Sequence, residues 1–256
     1  MKHKASQTEG TPGQEMTPAE NTAHARKPVD EAPSLMLPDA RDQKTYYTAM
    51  TPFRRAAQPV VLAIFRALTR FTVSGTEQLP SSGPVILAAN HLTNYDVFFL
   101  QAAILRPIFY MGKEELFRHP AMDWVLRQLG GFPVYRGGGD EWALRHAERV
   151  LRAGQVLGMF PEGTRSKGKG LKPAKTGVAR LALDLGCPIV PVALHGPQYM
   201  FTRISRRTLI TVSFGEVLFP DEDESALGLT DRMMFALAGM LPVEQRGAYR
   251  IQPPGF

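Results

Sequence analysis

Two clusters of side chains in this 256-residue chain have the types and spacing for chemistry. The first, Asn90-His91-Leu92-Thr93-Asn94-Tyr95-Asp96, follows the apolar run PVILAA and precedes VFFLQAAIL. A histidine at a strand end and an aspartate near the next helix start can be brought together by one turn. The carboxylate would accept from one imidazole nitrogen, fix the tautomer and leave the other nitrogen as a general base. The same residues also allow Asp96 as a helix N-cap and His91 as an ordinary loop histidine. The second cluster, Phe160-Pro161-Glu162-Gly163-Thr164-Arg165-Ser166, follows VLGMF. Its Pro-Glu-Gly bend supplies backbone N–H groups, and Arg165 offers a planar fork that suits a phosphate. Glu162 would orient that arginine or hydrogen-bond a hydroxyl; a loop closed by a plain salt bridge is the alternative.

Lys113 and Arg136 each follow an apolar run and add two cations at apparent strand ends. There is no G-x-S-x-G elbow, and the one cysteine, Cys187, sits beside Pro188 in an apolar stretch. A covalent acyl-enzyme therefore has no evident nucleophile, and a base would act directly on a bound hydroxyl. His195 has no acidic residue near it in sequence and reads as structural or supporting.

The elements that must position these residues alternate. Strand-length apolar runs occur at Pro84–Ala89, Ile108–Met111, Pro133–Tyr135, Val156–Phe160, Pro188–Leu194 and Leu209–Phe214. Helical periodicity marks Val97–Leu105, Pro120–Leu129, Glu141–Arg152, Lys175–Leu185 and Asp231–Leu241. Strand and helix in alternation predict an α/β domain, a largely parallel sheet flanked by helices, over residues 73–256. In such sheets ligands collect beyond the carboxyl ends of the strands, where both clusters fall.

Residues 45–72 form the next unit. Within Thr51–Phe71, Val60, Val61, Ile64, Phe65 and Leu68 recur at helical spacing, with Arg66 and Arg70 off that stripe and Arg54 and Arg55 leading in. This amphipathic helix either covers the core or lies on anionic lipid. Residues 1–44 hold no Phe, Trp, Tyr or Ile but five prolines, six Lys/Arg and seven Asp/Glu. Such a segment cannot bury enough apolar surface to offset its ordering entropy, so a disordered tail is expected. Charge is uneven as well: the net is +6, and Gly163–Leu183 carries Arg165, Lys167, Lys169, Lys172, Lys175 and Arg180 with no acid. That field attracts an anion, be it nucleic acid, a phosphorylated small molecule or an anionic membrane. No run of about twenty apolar residues spans a bilayer. Nor does an apolar stretch follow the basic N-terminus as a secretory signal requires. With one cysteine excluding an internal disulfide, the expected place is a reducing, cytoplasmic one.

Taken together, the motifs resemble the lysophospholipid acyltransferase family, whose bacterial members include the 1-acylglycerol-3-phosphate acyltransferases. The family's N-H-x4-D block looks like Asn90, His91 and Asp96; its lysine followed by G-x-x-x-x-R is similar to Lys113 and the run ending in Arg136. Its F-P-E-G-T-R-S block is matched at every position from Phe160 to Ser166, and its V/I-P-V strand looks like Ile189–Val192. The resemblance implies acyl transfer from acyl-CoA or acyl carrier protein to the free hydroxyl of 1-acyl-sn-glycerol-3-phosphate, giving phosphatidic acid for phospholipid biosynthesis. His91 would be the general base with Asp96 as partner, while Glu162, Gly163, Thr164, Arg165, Lys113 and Arg136 would handle the acceptor. It implies no metal, no cofactor beyond the donor substrate, and no nucleic-acid partner. The chain would sit peripherally or monotopically on the cytoplasmic face of the membrane, against its anionic surface. Another lyso-lipid or glycolipid acceptor, or a non-catalytic module that binds anionic lipid or nucleic acid, are the alternatives.

Overall fold

The computed structural model describes residues 39–135, 137, 139–200 and 207–252. In chain order these form α1 (Pro52–Leu68), β1 (Thr69–Ser74), β2 (Val85–Ala89), α2 (Asp96–Ala103), β3 (Ile108–Lys113), α3 (Pro120–Gln128), β4 (Gly131–Val134), α4 (Glu141–Arg152), β5 (Val156–Met159), α5 (Gly177–Leu185), β6 (Ile189–His195), β7 (Thr208–Phe214) and α6 (Ala226–Gly239), joined by loops and short 3-10 turns.

The seven strands make one sheet in the order β1-β7-β6-β2-β5-β3-β4. Strands β6, β2, β5, β3 and β4 are mutually parallel. At the far edge β7 runs antiparallel to β6, and β1 pairs parallel with β7. The expected largely parallel α/β architecture holds, with one reversal that apolar runs do not encode.

Strands buried on both faces must be apolar throughout, and period two then sorts their side chains. Ile86, Ala88, Phe109, Phe132, Leu157, Ile189 and Ala193 pack with α4, α5 and α6. Val85, Leu87, Ala89, Ile108, Val156, Val190, Val192 and Ile210 face α2, with Phe65 of α1. The turn from β6 toward β7 depends on Gly196, whose φ is +102° and where a Cβ would stand 2.0 Å from the Leu209 carbonyl oxygen.

Three expectations need correction at the N-terminal side. The helix expected through Phe71 stops at Leu68, where the Thr69 N–H and hydroxyl both bond the Phe65 carbonyl, and Thr69–Ser74 enters the sheet instead. Residues 69–72 thus belong to the α/β domain, not to the helical segment. Second, Arg54 does not lead a charged outer face: it is 3% exposed and donates to the Gln101 side chain and the Ile108 carbonyl. Burial pulls its guanidinium down to about 10. Of the apolar stripe, Phe65 stacks on Phe98 and meets Phe99 edge-on, while Val60, Ile64 and Leu68 stay more than half exposed.

Third, the tail boundary falls too late. Residues 1–38 lie outside the described residues, but Asp39–Lys44 is ordered against the domain. Arg41 makes a two-pronged bond to Asp140, at 2.6 and 2.9 Å, and lies between the rings of Tyr135 and Trp142. Asp140 in turn caps α4 through the Ala143 N–H and accepts from the Tyr135 N–H. Burial alone would raise its carboxyl, but these donors hold it below its usual range. Charge and stacking together hold a segment whose composition alone would not fold.

Both side chains of the Arg41–Asp140 pair are under 10% exposed. Removing the cation by Arg41→Ala leaves a buried carboxylate short of a partner, so unfolding free energy should drop by about 3 kcal/mol, the low end for a broken buried pair since backbone donors remain. Urea denaturation with an unchanged slope would record it.

Candidate functional site

The site stands on the carboxyl ends of adjacent parallel strands. The loop after β2 carries His91, that after β5 carries Glu162 to Ser166, and Lys113 ends β3. Strands β2 and β3 flank β5, which sets Lys113 roughly 10 Å across the sheet from the β2 end by strand spacing.

His91 and Asp96 do come together. The His91 Nδ1 lies 2.8 Å from Asp96 Oδ2, and that same oxygen accepts from the N–H groups of Leu92 at 2.6 Å and Thr93 at 2.8 Å. The other carboxylate oxygen accepts from the Thr93 hydroxyl at 2.7 Å. Asp96 is fully buried, and a carboxylate is the side chain that can meet so many donors without offering one. Facing it, Nδ1 is the ring's N–H, so in the neutral imidazole Nε2 is the accepting nitrogen. Phe160 stacks on the ring at 4.1 Å between centroids.

The backbone of His91 is held as firmly as its ring. Its N–H donates to Glu162 Oε1 at 2.8 Å, and its carbonyl accepts from the Ser166 N–H at 2.8 Å and hydroxyl at 3.2 Å. One residue earlier, the Asn90 side chain exchanges two bonds with the Leu194 backbone, tying the loop to β6. Glu162 is 4% exposed, and its second oxygen accepts from the Lys172 N–H at 3.0 Å. Burial raises its carboxyl above the usual range, against the two N–H groups that lower it. So Glu162 does not orient Arg165 as the sequence suggested; it clamps the His91 loop to the Lys172 loop.

Gly163, Thr164 and Arg165 follow directly in this loop, the last two exposed. Gly163 has a φ of +63°, and a Cβ there would press on the Lys175 side chain at 3.3 Å. Lys113 is exposed and paired with Glu115 at 2.6 Å. Arg136 lies outside the described residues. Among the described residues, Arg165, Lys167, Lys169, Lys175 and Arg180 are exposed and form no ion pair, leaving an unbalanced positive field for an anion. Ser166 and Asn90 are positioning residues that the sequence marked only as parts of motifs. Lys172 stands out in the sequence only as a charge, whereas in the fold its N–H meets Glu162 and its Nζ donates to the Arg165 carbonyl at 2.9 Å. His195 does support the site's surroundings, with Nδ1 against the Gln245 amide. Chemically, the arrangement presents one accepting imidazole nitrogen beside a cationic loop.

A family model described as Acyltransferase matches residues 70–195. The chain is 29% identical over 146 residues to a 1-acyl-sn-glycerol-3-phosphate acyltransferase of Borreliella burgdorferi, covering 56% of this chain and 58% of that protein. It is 32% identical over 127 residues to a protein of the same description from Bacillus subtilis, covering 49% and 63%. To a lyso-ornithine lipid O-acyltransferase of Pseudomonas aeruginosa it is 31% identical over 147 residues, covering 57% and 55%. The matches thus span under two thirds of these relatives. In fold it resembles the 1-acyl-sn-glycerophosphate acyltransferase of Thermotoga maritima, with a TM-score of 0.57, 23% identity, and coverage of 80% of this chain and 87% of that one.

Asp96→Asn keeps one oxygen for the Leu92 and Thr93 N–H groups but puts an NH2 where the Thr93 hydroxyl now donates, so that hydroxyl must turn to accept, and the His91 Nδ1–H faces a neutral amide oxygen. The expected cost is about 1 kcal/mol of stability, the net worth of a weakened hydrogen bond, measured by urea unfolding.

Proposed function

With residues 70–195 matched by a family model described as Acyltransferase, we propose that the protein transfers a fatty acyl group from a thioester, acyl-CoA or acyl carrier protein, to the free hydroxyl of 1-acyl-sn-glycerol-3-phosphate. The product is phosphatidic acid. The observation that carries this reading is the His91–Asp96 pair at 2.8 Å, which leaves Nε2 to accept a proton beside an unpaired basic loop.

In this mechanism the acceptor hydroxyl attacks the thioester carbonyl as Nε2 takes its proton. The C–S bond breaks, and the imidazolium returns that proton to the departing thiolate. Asp96 stabilises the transient imidazolium and keeps Nδ1 protonated. No step needs a protein nucleophile, which agrees with the buried Cys187, whose thiol burial pushes up to about 11. Arg165, with Thr164, receives the phosphate, and Lys113 and Arg136 add charge. Glu162 acts through the His91 backbone and not on the acceptor.

No helix among the described residues is long and apolar enough to cross a membrane. Attachment in this reading is peripheral, through Val60, Ile64 and Leu68 of α1 with Arg66 and Arg70 beside them, at the cytoplasmic face. The lyso-ornithine lipid relative favours a second reading, the same chemistry on a different lyso-lipid.

Thiol release with each donor, with and without 1-acyl-sn-glycerol-3-phosphate or lyso-ornithine lipid, tests both. Acceptor-dependent release supports acyl transfer and ranks the acceptors; release without acceptor indicates a thioesterase, and none with either donor returns the chain to a lipid-binding role. His91→Ala should lower turnover by about 10²–10⁴-fold, the usual worth of a positioned general base. Arg165→Lys, which keeps the charge and loses the fork, should raise the acceptor KM about tenfold with kcat kept.

A further inference from the structure

The chain beyond the matched region returns to the site. After α6, residues 242–249 run through two 3-10 turns and pair with the loop that follows Ser166. The Leu171 N–H donates to the Gln245 carbonyl, and the Leu171 carbonyl accepts from the Ala248 N–H, both at 2.9 Å. The Ala174 N–H donates to the Tyr249 hydroxyl at 2.9 Å. Tyr249 is itself buried edge-on against Phe235 of α6. These bonds bracket Lys172, whose N–H reaches Glu162, which in turn holds the His91 N–H. The approach is close: Gly247 has a φ of +49°, and a Cβ on it would stand 2.1 Å from the Leu171 carbonyl oxygen. The Gln245 side chain meanwhile meets His195, next to the Leu194 backbone that Asn90 grips.

We infer that residues 242–249 are a positioning element for His91: Gly247 and Tyr249 set Leu171–Ala174, which sets Lys172, Glu162 and so the histidine backbone. The inference rests on the acyl-transfer reading only for its kinetic arm. A positioning element of this kind acts on turnover through the His91 backbone, because its bonds to the basic loop go to the Leu171 and Ala174 backbone and none goes to the Arg165 side chain assigned to the acceptor phosphate.

The test compares full-length wild type with Tyr249→Phe, Gly247→Ala and, as control, Gly239→Ala, where a Cβ meets nothing within 4 Å. Tyr249→Phe deletes one hydrogen bond and should lower kcat about fivefold with both KM values unchanged. Gly247→Ala should lower it further, and Gly239→Ala should match wild type. In a Glu162→Gln background Tyr249→Phe should cost little more, since the route is already broken. Hydrogen exchange at the His91 and Lys172 amides should quicken in Tyr249→Phe. An equal loss in both backgrounds, a loss confined to KM, or unchanged kcat and exchange would overturn the inference. If Gly247→Ala fails to fold, Tyr249→Phe decides. Should wild type transfer no acyl group, the reaction reading fails, and amide exchange still judges the coupling.

Discussion

Asp96 and Glu162 are buried carboxylates, 0% and 4% exposed, in a protein interior that tolerates such groups only when their oxygens are met by donors. The donors are backbone amides: Leu92 and Thr93 for Asp96, His91 and Lys172 for Glu162. Satisfying both fixes the course of two loops that have no secondary structure of their own. His91 lies where those demands intersect, its ring on one carboxylate and its N–H on the other. The precision of the histidine is thus a result of charge burial beneath it, and the parallel sheet supplies the platform on which the loops emerge side by side.

Much of this arrangement was legible in the sequence, and the illegible parts share a cause. Strands β2, β5 and β6 are buried on both faces and so read as unbroken apolar runs. By contrast β1 has only Phe71 and Val73 as apolar members and follows a helix whose periodicity runs into it. The antiparallel sense of β7 leaves no trace in composition. His91 and Asp96 were found because one turn links them. Glu162 was found but its partners were not, since they are amides of residues chosen by topology and carry no side-chain signature. Arg54 and Arg41 show the same limit: a buried arginine and a solvated one look alike in sequence, and the ordering of Asp39–Lys44 depends on Asp140, 99 positions beyond Arg41.

Charge and apolar surface are separated across the sheet. The exposed part of α1 belongs to the layer that packs with α2, whereas α5, which carries Arg180, belongs to the opposite layer with α4 and α6. The basic loop from Arg165 to Lys175 runs between strand β5 and that second layer. The sheet edges differ too: β1 places Thr72 and Ser74 outward, and its Ser74 hydroxyl bonds that of Ser213 on β7.

That pairing of β1 with β7 sets an order of events during synthesis. Strand β1 ends at Ser74 and its partner begins at Thr208, so the first of the described strands to be made has no partner until the last of them is made. At about 5–20 residues per second, the wait is roughly 7–27 s. Throughout that interval α1 is already made while the layer that its Phe65 packs against still lacks β7. A nascent chain in that state holds a helix made before the sheet edge it packs beside, so formation of α1 and closure of that edge are separate steps, with the helix first.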